Sequence, residues 1–428
     1  MGRNWTAIAL AAAGAAALCV TARPVALHAQ GGTTAQAAPA QVDPTRALVG
    51  RLDLEKYKAT IKALTQFGDR RQGTDRNKAA VDWIEKQLRS YGCSGVARVK
   101  YEYAPAPRTT PASGEAAAGA RGAGASAAAA GGQAAGSQGR ARGNANPVKG
   151  NRAPTGVNND PEKQPNATLR ALDAQPTAPG PREEVYCTKV GTTHPEEAYI
   201  VSGHMDGLGY SEAANDNGSG AALVMELARI FCSPDVQTER SIRFALWNNE
   251  ETGLNGARAY AEQRGPLQGK EDPPGSHQYP EPKWLGVVVH DMMLFDHGMP
   301  GPDGKVSPEQ RPEADVNIEF AASSKMSAQS QELAWALKNA NDRYATDYPA
   351  VVGNRMSNTD SGAFQDLAPS ISLRELERLS QVGNGWDPTW HQPIDVFATF
   401  SDKDFRLGLN AAQTTLAGVA QLAGAKVK

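Results

Sequence analysis

Apolar side chains recur along this chain in two rhythms. Leu54, Tyr57, Ile61 and Leu64 stand three or four residues apart, and Ala80, Trp83, Ile84 and Leu88 repeat that spacing up to Gly92, which predicts two amphipathic helices. Val99, Tyr101 and Tyr103 alternate instead, the period of a strand over residues 96–103. From residue 183 onward the two rhythms take turns. Short apolar runs at 199–202, 241–247 and 285–289 predict strands, with helices at 221–231 and 254–263 between them. A long helix around 327–341, an apolar stretch at 370–373 and a last helix from about 403 to 422 follow. Such alternation predicts an α/β fold, a largely parallel sheet with helices on both faces, whose ligands bind beyond the carboxyl ends of the strands.

Two stretches depart from the pattern. Residues 104–182 are dominated by Ala, Gly, Pro, Ser and Arg, with hardly any large aliphatic side chain to offset the entropy of ordering, so one long disordered insertion is predicted there. The ordered residues ahead of it are too few for a separate domain, which leaves a single domain at 48–425 interrupted at 104–182. The N-terminus has Arg3, an apolar run at 7–20 and then Leu27, His28 and Ala29, the order of a secretory signal peptide cleaved after Ala29. The apolar run is 14 residues long, short of the roughly 20 that cross a bilayer. The expected product is an exported, periplasmic or secreted chain without a membrane span, beginning with a polar leader at 30–47. Outside the signal it has three cysteines, Cys93, Cys187 and Cys232, enough for one internal disulfide with one thiol left over.

Charge excludes one class of partner. The 428 residues contain 44 basic and 46 acidic side chains, a formal net charge of -2, which argues against a nucleic-acid binder. Gly and Pro number 43 and 28, and their excess is concentrated in the insertion.

The chemistry stands at the strand ends. The strand at 199–202 runs into Gly203, His204, Met205 and Asp206; the next into Asn248, Asn249, Glu250 and Glu251; the third into His290 and Asp291. Asp216 follows twelve residues after His204, in a Gly-rich loop before a helix, and His391 stands far downstream beside Trp390. Imidazole and carboxylate donors of this kind suit zinc. Two ions need a shared carboxylate, and Asp216 fits that place. One metal then takes His204 and Asp291, the other Glu251 and His391. Glu250 stays free as general base for a water acidified between the ions, and Asp206 stands behind His204 to orient its ring. Each residue alone has a plainer reading: His204 with Asp206 as a core pair, Glu250–Glu251 as a solvated surface pair, Asp291 as a helix cap, His391 with Asp395 as a structural pair. Their convergence on one sheet edge outweighs these. His194, His277, His290 and His297 lack such support and are expected at the surface or in the core.

The blocks SGHMDGLGYSEAANDNGSGAALVMELAR, RFALWNNEETGLNGARAY, GVVVHDMM, NTDSGAFQDLAPSISL and WHQPIDVF occur in an order that resembles the co-catalytic zinc aminopeptidases. That wider family takes in bacterial leucyl aminopeptidases, glutamate carboxypeptidases, glutaminyl cyclases and the transferrin-receptor ectodomain. The resemblance implies a mixed, mainly parallel sheet sandwiched between helices, two zinc ions per chain and a peptide substrate. It implies His204, Asp216 and Asp291 on one zinc, Asp216, Glu251 and His391 on the other, and Glu250 as base, the assignment already reached from the strand ends. An aminopeptidase is the expected activity, with a carboxypeptidase, a dipeptidase or a single-zinc glutaminyl cyclase as alternatives. Glutaminyl cyclases lack the histidine that heads the first block, whereas His204 is present here. The chain departs from the family in the block Thr359-Asp360-Ser361, where Ser-Asp-His is common and only the Asp is kept, at Trp390, where Tyr is common, and in the insertion.

Overall fold

The computed structural model describes residues 43–103, 157–295, 297–298, 307–310, 316–356, 359–375, 387 and 389–428. The expected signal peptide, the leader up to residue 42 and residues 104–156 of the expected insertion lie outside them. Helices α1 (Pro44–Val49), α2 (Leu54–Thr65) and α3 (Asp75–Ser90) open the described chain, and Asp43, Asp53 and Thr74 cap them by accepting backbone N–H groups of the first turn. The leader expected to reach residue 47 therefore ends sooner, because Asp43 and Pro44 are a cap and a first helical residue.

Eight strands among the described residues form one sheet: β1 (Ser94–Tyr103), β2 (Gly180–Lys189), β3 (His194–His204), β4 (Arg240–Trp247), β5 (Lys283–His290), β6 (Val316–Phe320), β7 (Ala350–Gly353) and β8 (Ser370–Glu375). Their order across the sheet is β1-β2-β4-β3-β5-β8-β6-β7. The four central strands β4, β3, β5 and β8 are mutually parallel, β2 runs antiparallel to β4, and β6 runs antiparallel to β8. The sheet is thus mixed with a parallel centre. The short outer strands β6 and β7 were not expected from periodicity.

Both faces of the centre are buried, as parallel strands require. Phe244 and Leu246 of β4 enter the larger core with Val201 and Val288, while Ala245 and Trp247 enter a second core with Ile200, Val287 and Val289. Helices α2, α3, α5 (Gly220–Phe231), α7 (Ser327–Tyr344) and α8 (Asp402–Leu422) supply the first core, and α6 (Asn255–Arg264) the second. At Gly220, where α5 begins, an added Cβ would lie 2.4 Å from the His290 carbonyl oxygen, so only glycine lets the helix start this close to β5. Cys93 and Cys232 form a disulfide between the α3–β1 junction and the end of α5, and Cys187 is a buried free thiol.

The prediction of disorder up to residue 182 is corrected at 157–182. A 3-10 turn (Pro161–Lys163), helix α4 (Ala167–Asp173) and the start of β2 lie in this stretch. Its order comes from polar anchoring instead of aliphatic bulk. Asn166 caps α4 through the N–H groups of Thr168 and Leu169, and Asp173 accepts the Asp69 N–H at 3.1 Å beside the Arg76 guanidinium. A search for large aliphatics does not register such contacts. No helix among the described residues is long and apolar enough to cross a membrane.

Candidate metal centre

The carboxyl ends of all four parallel strands converge. β3 delivers His204 as its last residue, β4 runs out into Glu250 and Glu251, β5 into Asp291, and β8 contributes Arg374. These residues line one small cavity with Asp216, Met292, Trp390 and His391. The loop carrying Asp216 is held by Asp395, whose carboxylate accepts the N–H groups of Asn215 at 2.7 Å and Asp216 at 3.0 Å. A fully buried Arg70 secures the path from His204 to Asp216, donating to the carbonyls of Met205, Glu212 and Ala213 at 2.7–2.8 Å.

Asp216 lies between the two histidines. Its Oδ1 is 3.3 Å from His204 Nε2, and its Oδ2 is 3.0 Å from His391 Nε2. His204 Nε2 also lies 3.4 Å from Asp291 Oδ1, and His391 Nε2 lies 2.6 Å from Glu251 Oε2. Two donor groups result, joined at Asp216. Behind them, His204 Nδ1 bonds the Asp206 backbone carbonyl at 3.0 Å, Arg374 Nη2 donates to Asp291 Oδ2 at 2.7 Å, and the Trp390 indole stacks on the His391 ring with centroids 4.1 Å apart. Glu250 makes no ion pair with the ligand candidates and faces the cavity beside them. His290 is buried in the core, His194 is half-buried and His277 is exposed. His297 lies outside the residues whose side chains are described.

Electrostatics show what this cluster lacks. Burial raises the Glu250 carboxyl well above the usual range and raises Glu251 to about 7, both among neighbouring acids. Burial would also raise Asp216, but contact with His204 and His391 holds it below its ordinary value. Burial lowers both histidines, and the surrounding carboxylates, Glu250 foremost for His204 and Glu251 for His391, more than reverse this. Glu251 Oε1 is buried without a hydrogen-bond partner among the described residues. Crowded carboxylates with an unsatisfied oxygen and two imidazoles are a donor set that divalent zinc fits.

Sequence reasoning missed three contributors. Arg374 follows the apolar stretch by one residue, and the rule of inspecting strand ends applied to that fourth strand would have found it. Arg70 looks like a solvated residue ahead of a helix. Asp360 is fully buried near this acidic cluster, its two oxygens unpartnered among the described residues and its carboxyl raised by burial.

A family model described as "Peptidase family M28" matches residues 184–412, just over half of the chain. The chain belongs to peptidase family M28. The family is described as one of peptidases. Among curated relatives, carboxypeptidase Q of Xenopus laevis is 37% identical over 73 residues, covering 17% of this chain and 16% of that protein. Aminopeptidase YwaD of Bacillus subtilis is 41% identical over 69 residues, covering 16% and 14%. The matches thus span only about one-sixth of those relatives' own lengths. In fold, the chain is similar to BSAP, a zinc aminopeptidase from Bacillus subtilis, with a TM-score of 0.54 at 15% identity, covering 87% of this chain and 95% of that one.

Proposed function

We propose that the protein is an exported exopeptidase with two zinc ions, releasing residues from peptide N-termini. One observation carries the reading: the two oxygens of Asp216 reach two different histidines, at 3.3 and 3.0 Å, each with a further carboxylate beside it. His204, Asp216 and Asp291 would hold one ion, and Asp216, Glu251 and His391 the other. Bound zinc would acidify a water between the sites and polarise the scissile carbonyl. Glu250, raised in proton affinity by its burial, takes the proton of the attacking water. It then delivers that proton to the amine nitrogen as the C–N bond breaks. Arg374 fixes the carboxylate of Asp291 from behind.

The direction of cleavage is read from Arg374, the Arg among the described lining residues, which is engaged by Asp291 instead of presented to a substrate carboxylate and so disfavours cleavage from the carboxyl end. Export is supported by the N-terminal segment and by the Cys93–Cys232 disulfide, a bond that persists in oxidising compartments. Matched C-terminally amidated peptides with free and acetylated N-termini test the reading. Acetylation should lower kcat/KM at least a hundredfold, about 2.7 kcal/mol of transition-state binding. Equal cleavage of both peptides would contradict the aminopeptidase assignment.

A further inference from the structure

We propose that residues 157–173, within the described part of the predicted insertion, form an arm that positions His391 for metal binding, with Asn158 and Gln164 as its positioning residues; the inference rests on the two-zinc reading. The arm touches both loops that carry histidine ligands or lead from them. The Asn158 N–H donates to the carbonyl of His391 at 3.0 Å, and its side-chain Nδ2 donates to the carbonyl of Gly209 at 3.1 Å. Gln164 Nε2 donates to the carbonyls of Tyr210 at 2.7 Å and Pro393 at 3.0 Å. One short segment therefore ties the loop between His204 and Asp216 to the loop of His391. Both anchoring side chains are buried, at 6% and 2% exposure, so these bonds are shielded from exchange with water.

His391 has a reason to need this hold. Its φ is +54°, a left-handed conformation that a residue with a Cβ adopts only when its surroundings enforce it. The carbonyl that Asn158 engages is part of that turn. On its other side stands Gly209, φ +102°, where an added Cβ would lie 2.5 Å from the His391 carbonyl carbon and oxygen. The His391 backbone is thus enclosed between Gly209 and Asn158, and its imidazole is left free to meet Asp216 and Glu251. Asp173 anchors the far end of the arm through the Asp69 N–H, one residue before the Arg70 that secures the path to Asp216.

A mere staple and a positioning arm predict different results. A staple stabilises the fold with or without metal. An arm that sets the direction of one ligand changes the affinity of the site built on that ligand, and groups orienting a metal ligand are typically worth 10- to 100-fold in affinity. Asn158→Ala removes the bond to Gly209 and loosens the turn presenting its N–H, and Gln164→Ala removes the bonds to Tyr210 and Pro393.

Zinc titration of the metal-free mature protein against a competing chelator reads the difference. Wild type should take up two equivalents. In the double variant one equivalent should stay tight while the other weakens about 10- to 100-fold, with peptidase activity restored by raised free zinc and the melting temperature of the metal-free protein nearly unchanged. Unchanged affinity for both equivalents in the folded variant would overturn the proposal, as would an equal weakening of both together with a large loss of metal-free stability. Should the double variant not fold, Gln164→Met alone keeps the side-chain length while removing the donor to Tyr210 and Pro393 without adding a charge, and the same titration applies. A wild type binding a single equivalent would overturn the two-zinc reading and this one with it, a result visible before any variant is compared.

Discussion

The carboxylate of Asp206 accepts the backbone N–H of Glu250 at 3.0 Å. This bond joins the end of β3 to the end of β4 and fixes the peptide that carries the proposed base. Asp206 was expected to orient the His204 ring. Its Oδ1 does lie 3.7 Å from His204 Nδ1, but the closer partner of that nitrogen, at 3.0 Å, is the Asp206 backbone carbonyl. One residue therefore steadies a ligand with its main chain and the base with its side chain.

Asp206→Ala should keep the ring contact, which is made by backbone, and release the Glu250 peptide. A loss of about 10- to 100-fold in kcat is expected, with Asp206→Asn closer to wild type because its amide oxygen still accepts the N–H. Steady-state kinetics of the two variants check this.

Glu250→Gln should retain both metals and lose about 10²- to 10⁴-fold in turnover, since the proton acceptor is removed and the donor set is untouched. Kinetics and metal analysis on the same preparation check it. Loss of a metal would exchange the roles of Glu250 and Glu251.

His290 governs part of the acid limb of stability. Its Nδ1 faces the Ser202 carbonyl at 3.0 Å and its Nε2 the Thr415 hydroxyl at 2.8 Å, an arrangement satisfied by the neutral ring, and burial lowers its pKa to about 4. Between its usual value of about 6.5 and about 4 the unfolded chain binds a proton that the folded chain refuses. Its contribution is therefore present above pH 6.5 and lost as the pH falls towards 4, by up to about 3 kcal/mol. His290→Asn should start from a lower stability at pH 7 and show a flatter decline, measured by urea unfolding at several pH values.

Cys93 and Cys232 are 139 residues apart in sequence, so their bond restricts a large part of the unfolded chain. Reduction, or a paired Cys→Ala substitution, should cost about 2–4 kcal/mol in denaturant unfolding. Cys187, buried, should resist alkylation until the fold is opened.

The central strands and the residues at their ends were legible because a run of apolar side chains that stops at His204, Glu250 or Asp291 leaves few structural reasons for a charged group there. The parallel centre followed from the same alternation. What was hidden depends on contacts between distant segments. Arg70 acts through carbonyls over a hundred residues away, which its own neighbourhood does not signal. Residues 157–173 are ordered by caps and amide bonds, while their composition resembles the low-complexity stretch before them. Strands β6 and β7 have five and four residues, too short for a period to emerge.

Zinc content of the purified mature chain, measured by mass spectrometry beside peptidase activity, tests the central claim most directly. The shared position of Asp216 between His204 and His391 predicts two equivalents per chain, with activity falling as the second is withdrawn. One equivalent with full activity would contradict it.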